Sequence, residues 1–347
     1  MYDELCSWEN LLHAFRRASK GKRGSPAVAV FDHRLGDEIA RLRAELLGGT
    51  YRPAGYTSFF IHEPKRRRIS AAVFRDRVVH HALCLQIEPL FERAFIADSY
   101  ANRVGKGTHR ALNRARYLAR RHRFVLQCDI RQFFPSLDHA ILRRSLARKI
   151  TDPRVLALAD LILASGAGIL DDEYEMRFFD GDDLLAPLRS RGLPIGNLTS
   201  QFWANVYMNP FDHFVTRELR CRGYVRYVDD MLFFADSKAT LGGTRQAVVD
   251  RLALLRLTIH PGAHVRPVAE GFPFLGFTVY PRRCRLKRRK GIHFARRLRR
   301  AVEARARGQM STSQVGAMVR GWVNHVKHAD TWGLRRAVLG STCLRAS

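Results

Sequence analysis

Tyr224-Val225-Arg226-Tyr227-Val228-Asp229-Asp230-Met231-Leu232-Phe233-Phe234 sets two adjacent carboxylates between two apolar, strand-forming runs. The pattern predicts a tight hairpin with Asp229 and Asp230 at its tip. Asp tolerates turn geometry, so the pair alone reads as an ordinary turn. It also supplies the oxygen donors that a hard divalent cation takes up alongside phosphate oxygens. A third carboxylate separates the two readings, and Asp129 is the candidate. It closes the apolar run Phe124-Val125-Leu126-Gln127-Cys128. A charge finishing a buried strand is costly unless it is solvated, paired or metal-bound. Asp138 already stands ready to cap the following helix. Three carboxylates at two strand ends suit two cations about 3.5–4 Å apart.

The composition agrees with such a site. Of 347 residues, 60 are Lys or Arg and 32 Asp or Glu, a net charge of +28, while 46% are hydrophobic. A core of ordinary size excludes wholesale disorder, and the length suits two or three subdomains. The basic surplus, mostly Arg, implies a polyanionic partner. The six cysteines are scattered with no C-x-x-C pair, which excludes a zinc cluster or disulfide framework. No cleavable apolar segment opens the chain, and the apolar stretch 155–170 is short and broken by Asp160. The expectation is a cytoplasmic protein without a membrane partner.

Around the carboxylates, residues 1–50 read as helices, and Tyr56–Ile61 as a strand that turns at 63–68 and returns from Ile69. Helices are expected over 74–95, from an N-cap at Thr108 to Arg120, from Asp138 to Lys149, over 197–219 and over 244–255. The acidic stretch 171–183 reads as hairpin-like, 274–280 as a single strand, and Gln314–His328 as a final helix. Irregular alternation of helix and strand makes the class α+β.

A third element, Gly192-Leu193-Pro194-Ile195-Gly196-Asn197-Leu198-Thr199-Ser200-Gln201, carries two glycines into a helix start. Taken with Cys128-Asp129-Ile130 through Phe134, Tyr227–Asp230 and Phe272-Pro273-Phe274-Leu275-Gly276-Phe277, the ordered set resembles the reverse transcriptases. So do Lys65-Arg66-Arg67-Arg68-Ile69 and the segment from Asp98 to Gly107. The resemblance runs from about residue 56 to 280. It implies a right-hand polymerase with fingers, palm (antiparallel sheet plus helices) and a short helical thumb. The implied segments are an N-terminal helical extension (1–55), fingers (56–122), palm (123–150), a fingers/palm insertion (151–190), palm with catalytic hairpin and primer grip (191–281) and a basic helical thumb (282–347).

The same resemblance assigns roles. Asp129, Asp229 and Asp230 are the catalytic metal ligands, with the Ile130 carbonyl added, for two Mg²⁺ ions or Mn²⁺. Lys65, Arg66, Arg68, Arg103, Phe134, Ile195 and Gly196 surround the incoming dNTP, Phe134 as a steric gate against a 2′-OH. Ser200, Gln201, Leu275, Gly276, Arg288, Arg289, Arg296 and Arg297 contact template RNA, primer and cDNA. For Arg103, bracing by hydrogen bonds stays open as the alternative. No Lys stands in the segment 260–266, where the family often has one as a general acid, leaving His264 or Arg266 as substitutes.

The variant Ile195-Gly196-Asn197-Leu198-Thr199-Ser200-Gln201 is most similar to diversity-generating retroelement enzymes, in which an error-prone copy of a template-repeat RNA replaces a gene segment. A small basic accessory variability protein is then a further partner. Retron or phage-defence enzymes, or a maturase-like protein with a vestigial polymerase site, are the alternatives. The short stretch after the last motif and the intact acidic trio count against the maturase.

Overall fold

The computed structural model describes residues 1–62 and 66–343, in two units. One contains Met1–Arg103, Asp129–Arg220 and Gln246–Pro261; the other contains Val104–Cys128, Cys221–Arg245 and the chain from Gly262 onward.

In the first unit the helix Phe74–Glu92 is apolar on most of its faces, burying Val78, Val79, Leu83, Cys84 and Ile87. A helix of that kind must lie inside, and it packs between Trp8–Ser19 and Leu198–His213. Trp8–Ser19 has the opposite, two-faced pattern, burying Leu11, Ala14, Phe15 and Ala18. Two strands, β1 (Tyr56–Ile61) and β2 (Arg67–Ala72), pair antiparallel from Tyr56↔Ala72 to Ile61↔Arg67. These are the two strands expected, the return beginning at Arg67 rather than Ile69, while residues 63–65 of the expected turn lie outside the described residues. Asp138 caps the helix His139–Ala147 as expected, its Oδ1 accepting from the Ile141 N–H at 3.0 Å.

The second unit holds a four-stranded sheet in the order β4-β5-β3-β6. Its strands are β3 (Phe124–Asp129), β4 (Tyr224–Tyr227), β5 (Asp230–Ala235) and β6 (Val265–Pro267). The boundary between units falls at the last residue of β3, after Cys128. A three-stranded antiparallel sheet follows: β7 (Phe272–Phe274), β8 (Phe277–Val279) and β9 (Cys284–Leu286). Helices Arg288–Ala306, Thr312–Val326 and Trp332–Cys343 complete it. They share a small core in which Phe294 stacks on Trp322 at 4.1 Å, with Leu298 and Val338 buried beside them.

Four expectations need correction. Thr108 begins its helix but does not cap it; Gly107, at φ 102°, holds the cap position, and the Thr108 hydroxyl lies 3.1 Å from the Tyr227 hydroxyl. Residues 274–280 are not one strand, because Leu275 and Gly276 take φ 48° and 88° and turn the chain between β7 and β8. A third terminal helix follows the expected one, which itself starts at a capping box of Ser311 and Gln314. The stretch 171–183 forms no strand among the described residues; Asp171–Glu173 is a 3₁₀ turn. Its carboxylates bind arginines from other segments instead: Asp171 with Arg191, Asp172 with Arg68, Glu175 with Arg131.

Asp182 is the buried member of that set, its side chain 1% exposed between Arg189 at 3.1 Å and Arg256 at 2.5 Å. Burial pushes its carboxyl up, but the Phe179 N–H and the two guanidinium groups outweigh that and hold it below the usual carboxylate range. Its contribution to stability is therefore complete above the unfolded carboxylate value of about 4 and fades as pH falls through the depressed folded value. Asp182→Asn should lower the urea midpoint at pH 7, with the gap from wild type closing in the most acidic buffers. A constant gap down to pH 2 contradicts this assignment.

Candidate active site

In the second unit, Tyr227 pairs with Asp230 across the hairpin, leaving Val228 and Asp229 as a two-residue loop. The expected carboxylate tip is thus present. A two-residue hairpin loop asks for positive φ, the conformation that Asn, Asp and Gly accept most readily. Here Val228 takes φ 58°, which is strained for a β-branched residue. What holds it is Arg226, fully buried, whose Nη1–H donates to the Val228 carbonyl at 3.0 Å. A buried guanidinium is costly unless its donors are bonded. Arg226 received no role from the sequence. The signal was there, a charge in the middle of an apolar strand.

On the neighbouring strand β3, the Gln127 amide reaches the Asp230 Oδ1 at 3.4 Å, at the long limit of a hydrogen bond. Among the described residues no group of three or more His, Cys, Asp or Glu side chains forms a ready cage for a metal.

In the first unit, Asp129 is exposed at the end of β3. Its backbone is pinned to a returning segment: the Asp129 carbonyl accepts from the His260 N–H at 2.7 Å, and the Arg131 N–H donates to Thr258 at 2.8 Å. Ile130 is buried and bridges Ile259. Phe133 is core, whereas Phe134 is half-buried with its ring edge-on to Phe133 at 5.4 Å. The loop 192–197 is fixed on both sides. The Leu193 N–H donates to the Phe134 carbonyl at 3.0 Å and the Gly192 N–H to Leu137 at 2.9 Å. On the other side the Ser70 N–H donates to the Ile195 carbonyl at 2.8 Å.

Asn197 is the second residue that sequence reasoning passed over. It sits at the N-cap of Leu198–His213 without capping it. Its amide instead accepts from the Ala72 N–H at 2.9 Å and donates to the Ser70 carbonyl at 2.9 Å and the Pro194 carbonyl at 3.0 Å. Loop 192–197 thereby continues the β1–β2 hairpin. Gly196 has φ 123°, and a Cβ there would lie 2.8 Å from the Ile69 Cγ2.

The remaining assigned residues divide. Lys65 lies outside the described residues. Arg66 is exposed over the Phe60 ring at 4.1 Å, and Arg68 is held by Asp172 at 2.9 Å. Ile195 is half-buried. Arg103, assigned to the nucleotide with bracing as the alternative, makes bracing contacts. Its guanidinium is 6% exposed and grips Glu92 at 2.9 Å and the carbonyls of Ile96 and Ser99, which occupies its donors. Ser200 is buried and Gln201 next to it is half-buried. Leu275 and Gly276 form the β7–β8 turn, crossed by the Lys290 side chain. Arg288, Arg289 and Arg296 line one exposed groove on their helix with Ile292 and His293, and Arg297 is exposed on the next position.

His264 donates from Nδ1 to the Gly262 carbonyl at 2.7 Å, and Arg266 donates to its Nε2 at 2.7 Å. Both ring nitrogens of His264 are thereby engaged within its own loop.

The chain matches the family described as "Reverse transcriptase (RNA-dependent DNA polymerase)" over residues 62–279. That is more than half of its length, and the chain belongs to this family. It is an RNA-directed DNA polymerase, and its α+β fold is that of the right-hand polymerases. It is similar to Protein YkfC of Escherichia coli K12, 26% identical over 294 residues, covering 73% of this chain and 74% of that protein. The group II intron-encoded protein LtrA of Lactococcus lactis subsp. cremoris is 25% identical over 183 residues, 52% of this chain but only 28% of LtrA. Among solved structures, apo telomerase from Candida tropicalis aligns over 75% of this chain and 53% of its own, at a TM-score of 0.48 and 10% identity.

Gly196→Ala tests the seam between the loop and β2. An alanine in that backbone region costs on the order of 1–3 kcal/mol, read as a lower unfolding free energy in urea. The displaced loop should also raise the KM for dNTP in primer extension. Unchanged values of both contradict the seam's role.

Proposed function

We propose that the chain copies RNA into DNA by two-metal nucleotidyl transfer at Asp129, Asp229 and Asp230, as the polymerase of a diversity-generating retroelement. The observation that carries the catalytic part is the bond from Gln127 to Asp230. Gln127 and Asp129 are alternate residues of β3, so they share a face of the sheet. The Gln127 side chain on that face bonds Asp230, which supports assigning Asp129 to the same cations. Mg²⁺ takes one or two carboxylates and completes its shell with water and substrate phosphate, which fits a site of few protein donors. The donors are all carboxylate oxygens, the set a hard cation prefers.

In this reading Asp129, Asp229 and Asp230 would hold the divalent cations, which when bound would supply activation of the primer 3′-hydroxyl and charge neutralisation at the phosphoryl group. Chain residues do the rest. The hairpin tip, tied by Arg226, presents Asp229 and Asp230 at a fixed angle. Arg66 donates to the triphosphate from the fingers segment (56–122). The half-buried Phe134 ring excludes a ribose 2′-OH beneath the sugar, while Ile195 and Gly196 form the wall beside the nascent pair. In the thumb segment (282–347), Arg288, Arg289, Arg296 and Arg297 grip duplex phosphates. The template RNA, the primer and a small basic accessory protein complete the proposed assembly.

Ile195 supports the retroelement assignment, because an aliphatic side chain there cannot hydrogen-bond to the nascent pair and discrimination of base geometry weakens. The similarity to an intron-encoded protein favours a second reading, a polymerase of intron type. The two differ in fidelity opposite adenine.

Primer extension on an RNA template with Mg²⁺ and dNTPs tests the catalytic assignment. Asp229→Ala should lower the extension rate by about 10²–10³-fold or more, the scale for removing one electrostatic contributor, with the melting temperature retained. Residual activity within a few-fold of wild type contradicts it. Sequencing the products of Ile195→Gln should show fewer errors opposite adenine than wild type. An unchanged spectrum removes the support that Ile195 lends to the retroelement reading.

A further inference from the structure

Arg68 is expected to meet the incoming triphosphate, yet in the structure its Nη1–H donates to the Asp172 Oδ2 at 2.9 Å. Both residues lie in the first unit, Arg68 on β2 and Asp172 in the acidic segment 171–175. That segment holds four acids in five residues, Asp171, Asp172, Glu173 and Glu175, in a chain whose net charge is +28.

Most of the segment is firmly strapped down. Gln132, just past the end of β3, donates from its side-chain amide to the Glu173 carbonyl at 2.7 Å and accepts from the Glu175 N–H at 3.1 Å. Glu175 pairs with Arg131, Asp171 lies 3.6 Å from Arg191, and the Arg191 guanidinium sits 4.3 Å over the Tyr174 ring. Asp172 differs from its neighbours. It bonds the β1–β2 hairpin, and its side chain is 78% exposed against 26% for Arg68. A carboxylate so well hydrated loses little when its partner is taken away, because exposed ion pairs contribute little.

A nucleotide phosphate and the Asp172 carboxylate address a guanidinium in the same way, through oxygens that accept from its planar fork of donors. Held on Arg68 together, the two anions would repel each other at close range. Either Arg68 does not meet the triphosphate or Asp172 leaves when the triphosphate comes. The triphosphate carries the greater charge and the more acceptor oxygens, so it prevails in a direct exchange. The anchors at Gln132, Arg131 and Arg191 do not take part, and the strap opens only at its Asp172 end.

We infer that Asp172 gates the nucleotide site: its carboxylate stands in for a phosphate on Arg68 until a triphosphate displaces it. The inference rests on the assignment of Arg68 to the incoming triphosphate. In a chain attractive to every polyanion, the gate keeps weakly bound anions off Arg68 while a strongly bound one still enters. It acts on phosphates alone, so it lowers the affinity for all four dNTPs by one factor.

The test is primer extension by the full chain on an RNA template, comparing Asp172→Asn, Arg68→Gln, the two combined and Asp172→Glu with wild type. Asp172→Asn should lower the KM for dNTP about two- to fivefold, the range set by an exposed ion pair, with kcat and melting temperature unchanged. Inorganic tripolyphosphate, which has the phosphates without sugar or base, should become a tighter competitive inhibitor by the same factor. Arg68→Gln should raise the KM, and adding Asp172→Asn to it should change nothing further. Asp172→Glu keeps the charge and should behave as wild type. A lower melting temperature or kcat in Asp172→Asn would make the pair a structural tie and overturn the gate. An unchanged or raised KM in Asp172→Asn, with Arg68→Gln still impaired, overturns the gate and leaves the nucleotide assignment of Arg68 standing. A KM unmoved by Arg68→Gln overturns both. A gain from Asp172→Asn that persists without Arg68 overturns the exchange at this guanidinium.

Discussion

Arg226 holding the Val228 carbonyl is the contact on which the Asp229–Asp230 hairpin depends. Two neighbouring carboxylates repel, and a valine at φ 58° adds strain to the same two-residue loop. A hairpin of four and six residues has little of its own to oppose this. The buried guanidinium supplies the donor that holds the turn carbonyl. Strain of this kind persists only where the surroundings over-determine the conformation. Here the surroundings are Tyr224 stacked on Phe233 and the sheet neighbour β3.

A comparable logic runs through the loop 192–197. It has no regular structure, yet its backbone is bonded to Phe134–Leu137 on one side and to β2 on the other. Asn197 forgoes its cap to make three such bonds. The segments around Phe134, Ser70 and Ile195 are in this way tied to one another through main-chain hydrogen bonds.

Much of this was legible in the sequence because it rests on local rules. Alternation and apolar runs located β1, β3, β4 and β5, the two carboxylates marked the hairpin tip, and Asp138 announced its own cap. What failed depended on distant partners. The acidic stretch 171–183 has the spacing of a hairpin, but arginines at 68, 131, 189, 191 and 256 claim its carboxylates, and no local pattern encodes that. Arg103 and Ser200 lie in motifs that the resemblance tied to substrate, and the structure buries both side chains, which local pattern alone does not announce. Arg226 and Asn197 went unassigned because their value lies in which backbone atoms they reach. The sheet β7–β9 was compressed to one strand because its turn uses Leu275 in a conformation that leucine rarely signals.

The account stands or falls on whether the end of β3 and the hairpin tip share bound metal. Replacing Mg²⁺ with Fe²⁺ and generating hydroxyl radicals cuts the backbone beside whichever residues hold the ion. Fragments should end near Asp129 and near Asp229–Asp230 together, and excess Mg²⁺ should suppress both sets. Cuts at one of these segments alone would contradict the account.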